Sequence, residues 1–284
     1  MVPRRIACTG HCMSGMAMHE SETPIAARSP AQVYEQFFVP ALFRQWGVVI
    51  ANMAGIAPGH RVLDVACGTG VLACAAAERV GADGTVTGLD PNDEMLAVAR
   101  GKSARIEWRK GRAESLPFAE ASFDRAASQF GLMFFEDKAG GLREMMRVLR
   151  PGGRLAVAVC DALDHSPGYA VLAELLQRLF GAAVADAFRA PFALGERKGL
   201  RSLCEQAGMP NALVTRAEGT VRFRSIEALV STERACVWTL GGLLDDRQFD
   251  RLLEEAEESL QPFVTADGAV AFQMPALVIT ADKA

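Results

Sequence analysis

Apolar residues recur along this chain in two rhythms. Short apolar blocks at residues 62–66, 85–89, 106–109, 123–128 and 155–160 are bounded by Gly, Pro, Asp or Ser and read as strands. Between several of them, apolar positions return every three or four residues, which predicts helices over 71–80, from Asp90-Pro91 to near Arg100-Gly101, and over 138–149. Strand alternating with helix is the rhythm of a parallel sheet with right-handed crossovers.

The flanks read differently. Ser29-Pro30-Ala31-Gln32 combines an N-cap, a proline at the first helical position and a Gln that completes a capping box. The helix that follows carries Val33, Phe37, Phe38, Leu42, Trp46, Val49 and Ile50 at helical spacing, with Pro40 predicted to kink or break it, and Pro58-Gly59 ends it. Pro151-Gly152-Gly153 reads as a turn. After Asp161 helical patterns occupy 169–180, 199–207, 225–240 and 247–261, interleaved with strand-like segments at 212–223 and 274–280. The expectation is an antiparallel pair closing the sheet, with an inserted helical cap. The organisation expected is a disordered leader over 1–28, helices covering a cofactor over 29–58, a binding core over 59–161, and a C-terminal part over 162–284 whose segment 225–261 caps the substrate.

Composition narrows the classes. Half of the 284 residues are apolar, as a folded core requires. A formal charge of −4 argues against a broad nucleic-acid footprint, which needs clustered Lys and Arg. No apolar run approaches the ~20 residues that span a bilayer, so no stable membrane insertion is expected. Seven irregularly spaced cysteines fit reduced thiols and a cytoplasmic location better than a disulfide framework. Cys8, His11 and Cys12 lack a second ligand pair at matching spacing, so no metal is assigned.

The stretch Val62-Leu63-Asp64-Val65-Ala66-Cys67-Gly68-Thr69-Gly70 sharpens the picture. Its glycines fit the turn that receives a pyrophosphate at a helix N-terminus. Asp64, inside the strand that feeds them, opposes such a ligand and favours a positive group such as an α-ammonium. The helix N-terminus still suits a carboxylate. Asp90, twenty residues beyond Gly70, is placed to accept hydrogen bonds from ribose hydroxyls, or else to cap the next helix. A ligand with an amino acid, a ribose and no phosphate is S-adenosylmethionine.

The same residues resemble the first motif of class I S-adenosylmethionine-dependent methyltransferases, and Gly88-Leu89-Asp90 with Met95-Leu96 resembles the second. Gly111-Arg112-Ala113-Glu114-Ser115-Leu116-Pro117-Phe118, Ser122-Phe123-Asp124 and the run from Glu144 to Gly153 resemble the menaquinone and ubiquinone C-methyltransferase-like branch (methyltransferase type 11). The likeness covers roughly Arg61 to Cys160. It implies an α/β, Rossmann-like, mostly parallel seven-stranded sheet with helices on both faces and an antiparallel last strand. It also implies S-adenosylmethionine as cofactor and S-adenosylhomocysteine as product. Asp64, Ala66, Gly68, Thr69 and Gly70 would surround the methionine end; Asp90 and Asn92 would serve the ribose, and Pro91 and Met95 the adenine. Ala113 would meet the adenine edge with its backbone, Gln129 and Phe130 would lie near the sulfonium, and Tyr34 would lid the cofactor. Arg112 departs from the branch, which commonly has an aspartate there for the adenine amino group; Glu114 or a water is the expected substitute.

Methyl transfer needs alignment and exclusion of water more than any particular base. His165, after the fifth strand, is the candidate proton acceptor, against a reading as a solvated loop histidine. Cys67 has no identifiable base beside it, and Met145-Met146 reads as core. Phe37, Phe38, Phe180, Phe192 and Trp238 are the candidate walls of an acceptor pocket. The partner expected is a small-molecule methyl acceptor, with a homodimer left open. The competing readings are an NAD-dependent oxidoreductase using the same glycines, and a non-catalytic S-adenosylmethionine-binding regulator.

Overall fold

Ser29 caps the first helix reciprocally: its hydroxyl accepts Gln32 N–H at 3.3 Å, and the Gln32 side chain accepts Ser29 N–H at 2.9 Å. The structure, a computed structural model, describes residues 28–284. The expected leader and Cys8, His11 and Cys12 lie outside the described residues. Helix α1 (Pro30–Val33) runs directly into a π-helix over Tyr34–Phe43 and then into α2 (Arg44–Met53). Pro40 sits inside the π-helix, and Arg44 N–H reaches back five residues to Val39 O. Instead of the expected kink or break, the backbone widens to five-residue hydrogen bonds around a proline that offers no N–H.

From there strands and helices alternate: β1 (Arg61–Val65), α3 (Val71–Val80), β2 (Thr85–Asp90), α4 (Asp93–Lys102), β3 (Ile106–Lys110), β4 (Phe123–Gln129), α5 (Lys138–Val148) and β5 (Leu149–Cys160). Strand β5 starts at Leu149 and runs through the predicted Pro-Gly-Gly turn, with a register shift against β4 between Phe123 and Arg125. Then follow α6 (Pro167–Phe180), α7 (Ala182–Arg189), α8 (Arg197–Gln206), β6 (Leu213–Ala217), β7 (Thr220–Phe223), α9 (Ile226–Ala235), α10 (Asp246–Ser259), β8 (Val270–Gln273) and β9 (Ala276–Asp282).

Seven strands form one sheet in the order β3-β2-β1-β4-β5-β9-β6. Strands β1 to β5 pair in parallel, and β9 runs antiparallel to both β5 and β6. This is the mostly parallel sheet with an antiparallel last strand that the motifs implied. The predicted strand over 212–223 is two strands, β6 in the main sheet and β7 paired with β8 in a separate hairpin. The break falls at Gly219, where a Cβ would lie 2.2 Å from the Trp46 ring. Helix α7 and strand β8 were not expected, and the helix predicted over 225–240 ends at Ala235. Among the described residues no helix is long and apolar enough to cross a membrane.

Side chains alternate across the sheet and feed two cores. On β5, Leu155, Val157 and Val159 enter one, with Leu63, Val65, Leu142 and Met145. Ala156, Ala158 and Cys160 enter the other, where small residues leave room for Trp46 and Ile50, both fully buried. Trp108, opposite Gly88 in the β2–β3 register, lays its indole over Gly88 and reaches Gly70 at the N-cap of α3. A Cβ would come within 2.5 Å of that ring at Gly88 and 2.4 Å at Gly70, so both glycines are sterically required. Gly88→Ala is expected to lower unfolding free energy by about 1–3 kcal/mol in urea titrations. Adding Trp108→Leu should return part of that loss in a double-mutant cycle.

Candidate active site

The turn after β1 is built from left-handed residues: Ala66 at φ 56°, Gly68 at 53° and Gly70 at 87°. Two glycines adopt this freely, whereas Ala66 does so at a cost the surrounding bonds must hold. Cys67 N–H donates to Leu89 O at 3.0 Å and Gly70 N–H to Cys67 O at 2.8 Å. Asp90, at the end of β2, accepts Gly68 N–H on Oδ2 and Asn92 N–H on Oδ1, each at 2.8 Å. Burial raises the Asp90 carboxyl above its ordinary range, against the pull of those two N–H groups. Helix α4 begins later than expected, and its cap is Asn92, which accepts Glu94 N–H and Met95 N–H. Asp90 is therefore free of capping duty.

Asp64 points to a different problem. It is 1% exposed, and neither carboxylate oxygen has a partner of hydrogen-bonding geometry among the described residues. Burial pushes its carboxyl well above the usual range; the Ala73 N–H opposes this and Asp90 adds to it.

At this sheet edge, beyond the carboxyl ends of the strands, lies a cavity of about 400 Å³. Tyr34, Ala66, Gly68 and Asp90 line it near the glycine turn, with Pro91, Asn92 and Met95 beyond the end of β2. Arg112, Ala113 and Glu114 form another wall, and Gln129 and Phe130 stand at the end of β4. Arg112 is 2.8 Å from Glu136 and 3.6 Å from Glu114, while Glu114 also accepts Glu136 N–H at 2.8 Å. The departing arginine is thus paired with Glu136, from the loop after β4, and more loosely with Glu114 of its own turn. Gln129 donates to Phe43 O at 3.1 Å and leaves its Oε1 buried without a donor. Phe130 holds φ 56°, with its N–H on Ala158 O at 3.0 Å.

Four of the sequence-predicted residues do not line this cavity: Asp64, Thr69, Gly70 and His165. Asp64 belongs to β1, and Thr69 and Gly70 are the part of the turn that leads into α3. His165 is 3.1 Å from Asp161, which also lies 3.2 Å from Arg216, and its side chain is about half exposed. Its loop folds it against the carboxylate of Asp161 rather than into the cavity.

Tyr34 separates the two ends of the space. A Cβ on Gly68 would lie 3.8 Å from its ring, which stacks on Phe43 at 5.1 Å and meets Trp238 edge-on at 6.1 Å. Its neighbour Glu35 pairs with Lys102 at 2.5 Å, and Lys102 reaches Thr69 Oγ1 at 3.4 Å, so the π-helix is latched to the glycine turn. Beyond Tyr34 the walls are Phe38, Phe192, Trp238, Phe188 and Met274. Of the five aromatic residues expected there, Phe37 and Phe180 are absent. Phe37 instead receives Arg28 over its ring at 5.4 Å, and Phe180 packs into the adjacent core.

Sequence reasoning missed the polar group in this apolar end. Glu233 is 2% exposed, lines the cavity with Tyr169, Cys236 and Thr239, and accepts Thr239 Oγ1–H at 2.8 Å and the Tyr169 hydroxyl. Burial raises its carboxyl to about 7. A signal existed: Ile226, Leu229, Val230 and Glu233 fall at i, i+3, i+4 and i+7, placing a carboxyl on the apolar stripe of α9.

The sheet order, the glycine turn and the acid at the end of β2 define a Rossmann-like fold of the class I methyltransferase type. Phosphoethanolamine N-methyltransferase 2 of Haemonchus contortus, solved with phosphomonomethylethanolamine and S-adenosylhomocysteine, shares this fold with a TM-score of 0.56 at 20% identity, covering 89% of this chain and 57% of its own. The sequence matches the ubiE/COQ5 methyltransferase family over residues 36–183, and the chain belongs to that family. It is 36% identical to the ubiquinone/menaquinone biosynthesis C-methyltransferase of Hahella chejuensis, across 59% of this chain and 74% of that one. It is 39% identical to a 2-phytyl-1,4-naphthoquinone methyltransferase of Synechocystis, across 45% of this chain and 55% of that protein. The chain spans about half the length of several such curated relatives.

Cys160 and Cys236 both line the cavity, and burial pushes each thiol up to about 12. At pH 8 the reactive thiolate is then about one part in ten thousand. Iodoacetamide should leave both unmodified in the folded protein and label both after unfolding, as read by peptide mass spectrometry.

Proposed function

We propose that this chain transfers a methyl group from S-adenosylmethionine to a small, apolar, hydroxylated aromatic acceptor. The observation that carries the reading is the pair of buried carboxyls at the glycine turn: Asp64, whose oxygens meet no donor at full hydrogen-bonding geometry among the described residues, and Asp90 with both oxygens held by backbone N–H groups and acceptor sites to spare. Those residues fit the cofactor by chemistry. An ammonium held at the turn would supply a counter-charge to the Asp64 carboxyl, which acts from behind the cavity lining, and vicinal hydroxyls can donate to Asp90. Met95, Ala113 and Phe135 offer flat apolar contact for a purine, and Glu114 lines that end as an acceptor for an amino group. A pyrophosphate in the same place would meet two buried acids.

When bound, S-adenosylmethionine supplies a methyl carbon made electrophilic by its cationic sulfur. The chain's residues do the positioning. Phe130 and Gln129, held at the end of β4, form the wall between donor and acceptor ends, with the unpaired Gln129 Oε1 available to a polarised group there. Tyr34, Phe43 and Trp238 close the boundary against water. The acceptor end, with aromatic and sulfur-bearing walls and few polar groups, suits a ring of the kind named in the quinone methyltransferase relatives. His165, outside the cavity lining, has no part in this reading.

Calorimetry provides the test: the protein should bind S-adenosylhomocysteine saturably, and Asp90→Asn should weaken it by about ten- to a hundredfold, the worth of hydrogen bonds to a charged group. Saturable binding of NAD with no binding of S-adenosylmethionine or S-adenosylhomocysteine would overturn the reading. In the same assay Lys102→Met, which cuts the latch from the π-helix to the turn, should cost no more than about fivefold, because the pair is partly exposed.

A further inference from the structure

Glu233 is the only cavity-lining carboxyl of the acceptor end among the described residues, and nothing in the cofactor reading uses it. Three observations make it more than a structural group. It is buried on the apolar stripe of α9, where a carboxyl costs stability unless paired or employed. Its partners are two hydroxyls, Thr239 at 2.8 Å and Tyr169, and no cation figures among the influences on it. It also opens onto the same cavity as Gly68 and Asp90, across the Tyr34 boundary.

We propose that Glu233, positioned by Thr239 and Tyr169, takes the hydroxyl proton of the methyl acceptor, which makes this end of the cavity a subsite for a phenol or hydroquinone. The inference rests on the methyl-transfer reading above. Transfer of a methyl cation to a neutral phenol leaves one proton in excess, and this residue gives it a destination. The phenol O–H bond breaks with its electron pair remaining on oxygen and the proton joins a Glu233 carboxylate oxygen; the charged ring then bonds the methyl carbon as the S–CH3 bond breaks with its pair left on sulfur, the acid returns its proton to solvent, and the methylated carbon gives up its C–H proton, by way of solvent, to the oxygen as the ring becomes aromatic again. Between the first two events the ring carries the charge that makes it nucleophilic. The titratable groups facing Glu233 are Tyr169 on α6, Cys236 just after α9 and, beyond Tyr169, Cys160 at the end of β5. Burial keeps both thiols and the tyrosine protonated at neutral pH. A carboxyl titrating near 7 among them is matched to the task at neutral pH.

The test uses the full chain with S-adenosylhomocysteine bound and naphthol, a fluorescent phenol, as probe. Wild-type affinity should tighten about tenfold as pH rises through 7, because an ionised carboxyl accepts the phenol O–H more strongly than a neutral one. Glu233→Gln should abolish that inflection and naphthalene should never show it. Thr239→Val, which removes a bond favouring the carboxylate, should move it to higher pH. Methylation of a dihydroxynaphthalene by Glu233→Gln should fall about a hundredfold or more, with Glu233→Asp recovering part and S-adenosylhomocysteine affinity unchanged. The burial that raises the carboxyl also predicts a stability signature. A folded-state value above the unfolded one means stability is lost as pH rises through the interval from about 4.5 to 7. Glu233→Gln should therefore melt at or above the wild-type temperature at pH 8 and lose that advantage at pH 5. A variant that binds S-adenosylhomocysteine, methylates at the wild-type rate and keeps the naphthol inflection overturns the role of Glu233 and leaves the methyltransferase reading standing. Absence of S-adenosylhomocysteine binding in the wild type overturns both.

Discussion

The bond from Gly68 N–H to the Asp90 carboxylate is the constraint on which the cavity depends. It joins the loop after β1 to the end of β2, and the second Asp90 oxygen holds Asn92 N–H and so sets where α4 begins. Leu89 O, receiving Cys67 N–H, adds a parallel tie one residue away. Two strand ends fixed in this way determine how close the turn can come to Trp108, and the glycines at 70 and 88 exist to allow that approach. A side chain in either place would push the indole off the sheet, and the turn would lose the floor against which its left-handed residues are held.

The two ends of the cavity are built by different physics. The end near Gly68 is made of backbone conformations and short-range hydrogen bonds, which a few residues dictate locally. The end near Glu233 is made by packing: α6 supplies Tyr169, α7 and the turn after it supply Phe188 and Phe192, and the chain after α9 supplies Trp238 and Thr239. Both ends contain carboxyls whose burial works against their charge, Asp64 and Asp90 at one and Glu233 at the other. Free protein carries that electrostatic cost at both ends, and groups that bring positive charge or a donated proton relieve it.

This division explains what was legible in the sequence. Gly68, Gly70, Asp90 and Ala113 reveal themselves because their roles are written in neighbouring residues and strand–turn–helix spacing. Pro40 could be seen as a disturbance, but whether a helix kinks or widens depends on what it packs against, here Trp238, Phe223 and Phe130. The split between β6 and β7 was hidden because Glu218-Gly219 is a weak punctuation mark, and its force comes from Trp46, far back in the chain. Glu233 stayed hidden because helical periodicity marks apolar positions and does not single out an acid that shares their stripe. His165 was a candidate through its place after the fifth strand, set against a reading as a solvated loop histidine, and the short turn Leu163–His165 sets it against Asp161.

Strand β9 lies between β5 and β6, pairing with both, although it follows them in the chain. During synthesis, then, β5 and β6 emerge and wait with open hydrogen-bonding edges until the segment that joins them appears. The parallel core can assemble strand by strand as it is made, but the sheet gains continuity as one body through its final strand. A chain stalled before residue 276 would present two unpaired edges, one of them the apolar β5, so the exposure to mispairing falls at one late event.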